Sequence, residues 1–384
     1  MARLSRVEIF APDEIAIVHV MNRVVRRCFL LDADPVTGKN YDHRKAWIES
    51  QLKRMAARFG IDLVAFAILS NHFHLILRSR PDVVATWNDT EVARRWLLLC
   101  PLRKQDDGSP SEPNEFELNT IRNDAARLSL IRSRLSDISW WMRLLCQAIA
   151  QKANCEDQQC GRFWQDRFRA VRLLDETALL ACAVYVDLNP IRAAMAQTLD
   201  ASDFTSAQRR IESLQAVKPC VKQTTALELD SPDLLAAEPN SLPSEIVKQS
   251  DTSPQQSAPS DQFLSPLTID ELLDPTGPQP SESGSRCSDK GFFPMSIGDY
   301  LELLEWTARQ SSTGEHCLAP QTAPSLLQRL ALTPSAWCEL VGDFAKLFCN
   351  VAGELLTMAE ARSRVRHRRY RIRRQARALL TDHG

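Results

Sequence analysis

Near the N-terminus the spacing of apolar residues changes period twice. Ile15 to Met21 is an apolar, β-branched run that predicts a strand. From Tyr41 to Phe59 the residues Trp47, Ile48, Leu52, Met55 and Ala56 recur at helical spacing, and Gly60 supplies a stop. Ile61 to Leu69 reads as a buried strand, Ser70-Asn71 as a turn or bulge, and His72 to Arg78 as the next strand. The opening is β-α-β-β.

Pro81 to Ile138 interrupts this pattern with mixed helical and loop signals, including an acidic, proline-containing patch from Asp106 to Glu117, and is read as an insertion. Ser139 to Ala153 predicts an amphipathic helix and Arg169 to Leu174 a short strand. Asp175 is placed to cap a helix from Glu176 to Leu188, which Pro190 ends by pushing its predecessor out of the α region. The set predicts an α+β unit over residues 1–216, an antiparallel sheet packed on helices. Residues 217–292 turn rich in Ser, Pro, Asp and Gln, as linkers do, apart from an apolar island at Phe263-Leu264-Ser265-Pro266-Leu267. Helical periodicity returns from Met295 to Ala361, with Tyr300, Leu304, Trp306, Leu327, Trp337, Leu340, Phe344 and Phe348, and predicts a small all-α domain over 293–361.

The last stretch, 362–384, carries Arg362, Arg364, Arg366, Arg368, Arg369, Arg371, Arg373, Arg374 and Arg377 against one acid, Asp382. Net charge over the chain is −1, so the global balance predicts no polyanion partner. Local clusters carry that signal instead, because phosphate contacts depend on nearby cations rather than on a sum. A length of 384 residues with 44% hydrophobic and 25% charged positions suits a globular chain with more than one folded unit. Eleven cysteines at irregular positions, without a CxxC pair, indicate neither a zinc ribbon nor a disulfide framework and fit reduced thiols in a cytoplasm. The apolar run Val7 to Phe10 is too short for a signal peptide or membrane anchor, so no membrane partner is expected.

Candidate chemistry begins at Asn71-His72-Phe73-His74-Leu75. Two imidazoles one residue apart on a strand project from the same face, which is a metal-binding spacing. Tyr185 and Asn189 stand four apart on the helix that ends at Pro190, hence on one helical face. Together they suggest a metal-assisted tyrosine nucleophile. A phenol with a reference pKa near ~10 is a poor nucleophile at neutral pH unless a cation assists departure of its proton. Ala178, Ala181 and Cys182 share the tyrosine's face and are small, which leaves room for a substrate backbone. Between Arg162 and Arg169, arginines alternate with Phe163, Trp164 and Phe168, the composition of a segment that places aromatics in a core and cations on nucleic acid. No Walker or Rossmann glycine motif appears, so no nucleotide cofactor is expected.

Four segments carry a family resemblance: His19-Val20-Met21-Asn22-Arg23, Ser70 to Leu77, Gly161 to Arg169, and Tyr185 to Ala193. In that order they resemble the HUH single-tyrosine transposases, in particular the REP-associated tyrosine transposases, over roughly the first half of the chain. The resemblance implies a ferredoxin-like fold and a divalent cation, Mg²⁺ or Mn²⁺, held by His72 and His74. It places the third ligand at Asn189 and the nucleophile at Tyr185. The implied substrate is single-stranded or hairpin DNA, contacted by Asn71, Arg162, Arg167 and Arg169 and cleaved through a 5′-phosphotyrosine link, by a monomer or a homodimer. A non-catalytic hairpin-binding regulator and a metal-dependent nuclease using water are the alternatives. The long insertion and the C-terminal extension depart from the compact family pattern.

Overall fold

Alternation along the first strand decides which chemistry goes to which face of the sheet. β1 (Ile17–Arg23) sends Val18 and Val20, both fully buried, to one side and Ile17, His19 and Met21 to the other. The computed structural model describes residues 6–217, 259–272, 274–313, 322–363, 370 and 373–376. Most of the expected linker, 218–258, and most of the arginine-rich tail lie outside the described residues.

After β1 come helix α1 (His43–Ala56) and the hairpin β2 (Ile61–Ile68) and β3 (His72–Ser79). The hairpin closes at Ser70-Asn71, where the Leu69 amide donates to the His72 carbonyl at 2.8 Å. The expected insertion folds as four short helices, α2 (Pro81–Thr86), α3 (Asp89–Leu99), α4 (Glu115–Arg122) and α5 (Ala125–Leu135). Asn88, Asn114 and Asp124 cap α3, α4 and α5 by accepting from backbone amides, and Asn114 and Glu117 complete a capping box. Helix α6 (Ile138–Glu156) then leads to β4 (Arg169–Leu173), and Asp175 caps α7 (Glu176–Asp187) as expected, accepting from the Ala178 amide at 2.8 Å. Pro190 does not stop the chain abruptly: after Leu188 it starts a single further turn, α8 (Asn189–Arg192), in the first-turn position where a missing N–H costs nothing. Helices α9 (Ser206–Val217), α10 (Ile297–Thr313), α11 (Thr322–Arg329), α12 (Pro334–Gly342) and α13 (Phe344–Leu347), the short strand β5 (Val351–Ala352) and α14 (Leu355–Ser363) complete the described chain.

The sheet runs β2-β3-β1-β4-β5, with antiparallel pairs throughout except β4 and β5, which are parallel. One face carries Val18, Val20, Phe73, Leu75 and Leu77 under α1, α6 and the inserted helices. The other carries Val171 and Ile76 under α7, α10, α12 and α13. Burial on both faces accounts for the near-continuous apolar run of β2.

Two expectations are corrected. Residues 293–361 do not fold as a separate all-α unit: Tyr300, Trp306, Trp337, Leu340 and Phe344 share a core with the sheet, and β5 extends it. Periodicity shows that these helices have an apolar face, but not that a sheet covers it. Residues 259–292, expected as the end of a linker, pack back on β2. Phe263 and Leu264 are buried, and the Ser265 amide donates to the Leu63 carbonyl at 2.9 Å. A buried charge cluster holds them, in which Asp62 accepts from Arg78 at 2.8 Å, Arg80 at 3.1 Å and the Ser288 hydroxyl at 2.8 Å. Polar composition hid this because the segment is held by hydrogen bonds to buried arginines as much as by apolar contact.

Candidate active site

Strand register brings the first part of the site together. Met21 pairs with His74 and Arg23 with His72, so His72, His74 and His19 all project onto the face covered by α7. Tyr185, near the C-terminal end of α7, points its ring at them, with centroids 5.5 Å from His74 and 6.1 Å from His19, both edge to face. The His72 and His74 rings lie 5.0 Å apart. Residues more than a hundred positions apart in the chain thus meet on one face.

Burial sets the charge of this cluster. It lowers His72 from 6.5 to about 4 and His19 to about 3, aided by Arg23 and by Arg169 respectively. His74 is pushed well below its ordinary value by burial and by His72, His19, Arg23 and Arg169. All three imidazoles are therefore neutral at physiological pH, the state in which a ring nitrogen is a ligand. Burial raises the Tyr185 hydroxyl above 10, while Arg192, a hydrogen bond from Asn189 and Arg169 pull it back. Asn189 thus sits within bonding reach of the phenol, one turn beyond it.

The fit of a divalent cation is tested by the nitrogens. His74 Nε2 is buried without a hydrogen-bond partner, and His72 Nδ1 lies 2.7 Å from Asn71 Oδ1, which leaves the His72 Nε2 lone pair uncommitted by that bond. Among the described residues no group of three or more His, Cys, Asp or Glu side chains converges in a metal-holding geometry. A cation here would rest on the two imidazoles, the Asn189 amide oxygen and oxygens from water or substrate, a set compatible with Mn²⁺ or Mg²⁺.

The remaining sequence candidates fall in two groups. Arg162, Arg167 and Arg169 are exposed, while Phe163 and Trp164 are buried, and Trp164 Nε1 donates to the Cys146 carbonyl at 2.8 Å. Arg167 and Arg169 join Arg23, Asn22 and Gln165 around a cleft of about 130 Å³ beside the histidines, and Arg162 does not line it. Asn71 engages His72 directly. The small residues Ala178, Ala181 and Cys182 do not line an open groove as expected: all three are buried, and α7 packs against β2 and α12. The chain's own helices α12 and α13 cover that side of α7.

Sequence reasoning missed three participants. Phe344 stacks on Tyr185 with centroids 5.7 Å apart and 26° between planes, and meets His19 edge-on at 6.1 Å. Arg192 lies 5.6 Å from the Tyr185 ring centre and donates to the Val341 carbonyl at 3.0 Å and to the Gly342 carbonyl, tying α8 to the end of α12. His19 contacts His74 across the strand pair. A cavity of about 20 Å³, lined by His19, His74, Arg169, Phe344 and Phe348, is the space left between Phe344 and the histidines. The alternation of β1 put His19 on the histidine face; Arg192 lay in the Tyr185 to Ala193 segment and Phe344 in a helical apolar pattern, and neither signal pointed to the tyrosine.

No family model matches this chain, and no curated protein is similar to it. Among solved structures the chain is similar to the "Structure of the REP associates tyrosine transposase bound to a REP hairpin", at 11% identity and a TM-score of 0.32, over 62% of this chain and 100% of that one. At that distance the likeness carries no argument of its own. Among the described residues no helix is long and apolar enough to cross a membrane.

Proposed function

We propose that this chain is a metal-assisted tyrosine nuclease and strand transferase of the HUH transposase type, acting on single-stranded or hairpin DNA. The observation that supports it best is the meeting of Tyr185 with His72 and His74 on one sheet face, with the buried Nε2 of His74 left without a partner. With α2 to α5 set aside as an insertion, the succession β1-α1-β2-β3-α6-β4, with order β2-β3-β1-β4, agrees with the ferredoxin-like arrangement of that type.

In this reading His72, His74 and Asn189 hold Mg²⁺ or Mn²⁺. When bound, the cation supplies Lewis-acid polarisation of a phosphoryl oxygen. Asn189 orients the Tyr185 hydroxyl, and the nearby guanidinium groups of Arg192 and Arg169 favour its ionised form. Tyr185 Oη then attacks phosphorus in line, the bond from phosphorus to the 3′ oxygen breaks, and that oxygen leaves as a 3′-hydroxyl after taking up a proton. The 5′ end remains as a phosphotyrosine. Attack by a 3′-hydroxyl on that link reverses the step and joins strands, so bond energy is conserved and no nucleotide is consumed. Arg23, Arg167 and Arg169 around the adjoining cleft suit a phosphate backbone.

Incubation with single-stranded hairpins and Mn²⁺ should give a protein–DNA adduct that survives a denaturing gel and maps to Glu176–Arg192. Tyr185→Phe, which keeps the ring and its stacking, should form none yet still bind DNA. Strand cleavage by that variant would point instead to water as the nucleophile. DNA binding by wild-type protein with neither adduct nor cleavage would favour a second reading, binding without chemistry, for which the closure of the site by Phe344 is the supporting feature.

A further inference from the structure

The antiparallel register places Met21 opposite His74 and His19 opposite Ile76, so His19 is the diagonal neighbour of His74 on the same face. His19 Nε2 lies 2.8 Å from His74 Nδ1, and the two buried rings are parallel within 4° with centroids 5.1 Å apart. That separation equals one hydrogen bond plus the radii of two rings. The contact is therefore in plane and edge to edge, along the direction of the lone pairs.

A pair of neutral rings shares one proton across such a contact. With the proton on His19, the His74 ring would carry its own hydrogen on Nε2, a buried donor with no acceptor, which is costly. With the proton on His74 Nδ1, Nε2 becomes a lone pair aimed away from the bond. Asn71 imposes the same choice on His72, because its amide oxygen accepts from Nδ1 at 2.7 Å.

We propose that His19 is a positioning residue that holds His74 in the Nδ1–H tautomer, so that both histidines offer Nε2 to one divalent cation. The inference rests on the reading of the site as metal-assisted. His19 is not itself a ligand in it: the nitrogen nearest the site is committed to His74, and it serves His74 as Asn71 serves His72, by orienting a ligand through the ring nitrogen that does not bind.

The full chain, labelled with [¹⁵N]histidine and assigned with His74→Gln, reports the tautomer by ring nitrogen shifts, and free Mn²⁺ measured by electron paramagnetic resonance reports affinity. Wild-type protein should show Nδ1–H at His74. His19→Phe should convert it to Nε2–H and weaken Mn²⁺ binding about ten- to a hundredfold. His19→Gln, whose amide oxygen accepts a hydrogen bond, should keep most of the affinity, and His19→Asn, with a shorter reach, should not. Should circular dichroism show His19→Phe unfolded, the contrast between Gln and Asn carries the test. Nε2–H at His74 in wild-type protein, or undiminished Mn²⁺ binding without an acceptor at position 19, overturns the assignment. Nδ1–H in a wild-type protein that takes up no Mn²⁺ removes the cation, and with it the purpose given to His19, while leaving the hydrogen bond as read.

Discussion

His19, His72 and His74 hold their rings neutral inside the folded protein, at about 3 for His19, about 4 for His72 and well below 6.5 for His74. The unfolded chain takes up a proton on each ring below its ordinary value of 6.5, so the unfolded state binds more protons in the acid range. Stability from this source is complete above 6.5 and is lost as the pH falls from 6.5 toward about 4. Each ring adds a slope of about 1.4 kcal/mol per pH unit in that window. Urea midpoints should therefore drop steeply between about pH 7 and about pH 5, and His74→Gln should flatten the drop. A midpoint independent of pH would mean that the rings are protonated in place.

At the scale of elements the chief fact is that α13 lies on α7 where the tyrosine emerges. Phe344→Leu keeps most of the volume but removes the ring that stacks on Tyr185, at a cost of about 1 kcal/mol. Adduct formation on single-stranded hairpins should rise in this variant if departure of α13 limits access, which gel-resolved time courses would measure; an unchanged rate would mean that the cover leaves faster than the reaction proceeds. Strand alternation, the helical spacing of Tyr185 and Asn189 and the Asp175 cap were legible in the sequence because each is a local pattern with a fixed period. The stacking of Phe344 on Tyr185 and the contact of His19 with His74 were not, since they come from the docking of α13 and from pairing register, neither of which leaves a periodic trace. Pro190 misled in the other direction, as Asn189, the residue it restricts, lies inside the turn α8 instead of leaving the α region.

At the scale of the whole molecule, Asp62 is the tie between the sheet and residues 259–292. Arg78 and Arg80 share its carboxylate while donating to the Gly291 carbonyl at 3.0 Å and to the Pro278 carbonyl. Asp62→Asn leaves two buried guanidinium groups short of a counter-charge, with Asp82 still serving Arg80, and should destabilise by about 3–5 kcal/mol. Trypsin should then cut first around Arg286 and Lys290, ahead of sites in the helices, as mass spectrometry of early fragments would show. Uniform digestion would assign this segment a lesser part.

Both sides of the sheet, beyond β2 and beyond β4, are finished by the chain itself. On β2, Phe204, Ser206 and Ser265 take the outward backbone groups of Ile68, Phe66 and Leu63, and on β4 the amides of Arg172 and Leu174 donate to Asn350 and Ala352. What remains beyond them is a strand of two residues, too short a template for another chain to join. Among the described residues the sheet therefore offers no long open edge, so a second copy of this chain, or an extended peptide, would have to meet the molecule on its helices and loops rather than lengthen the sheet.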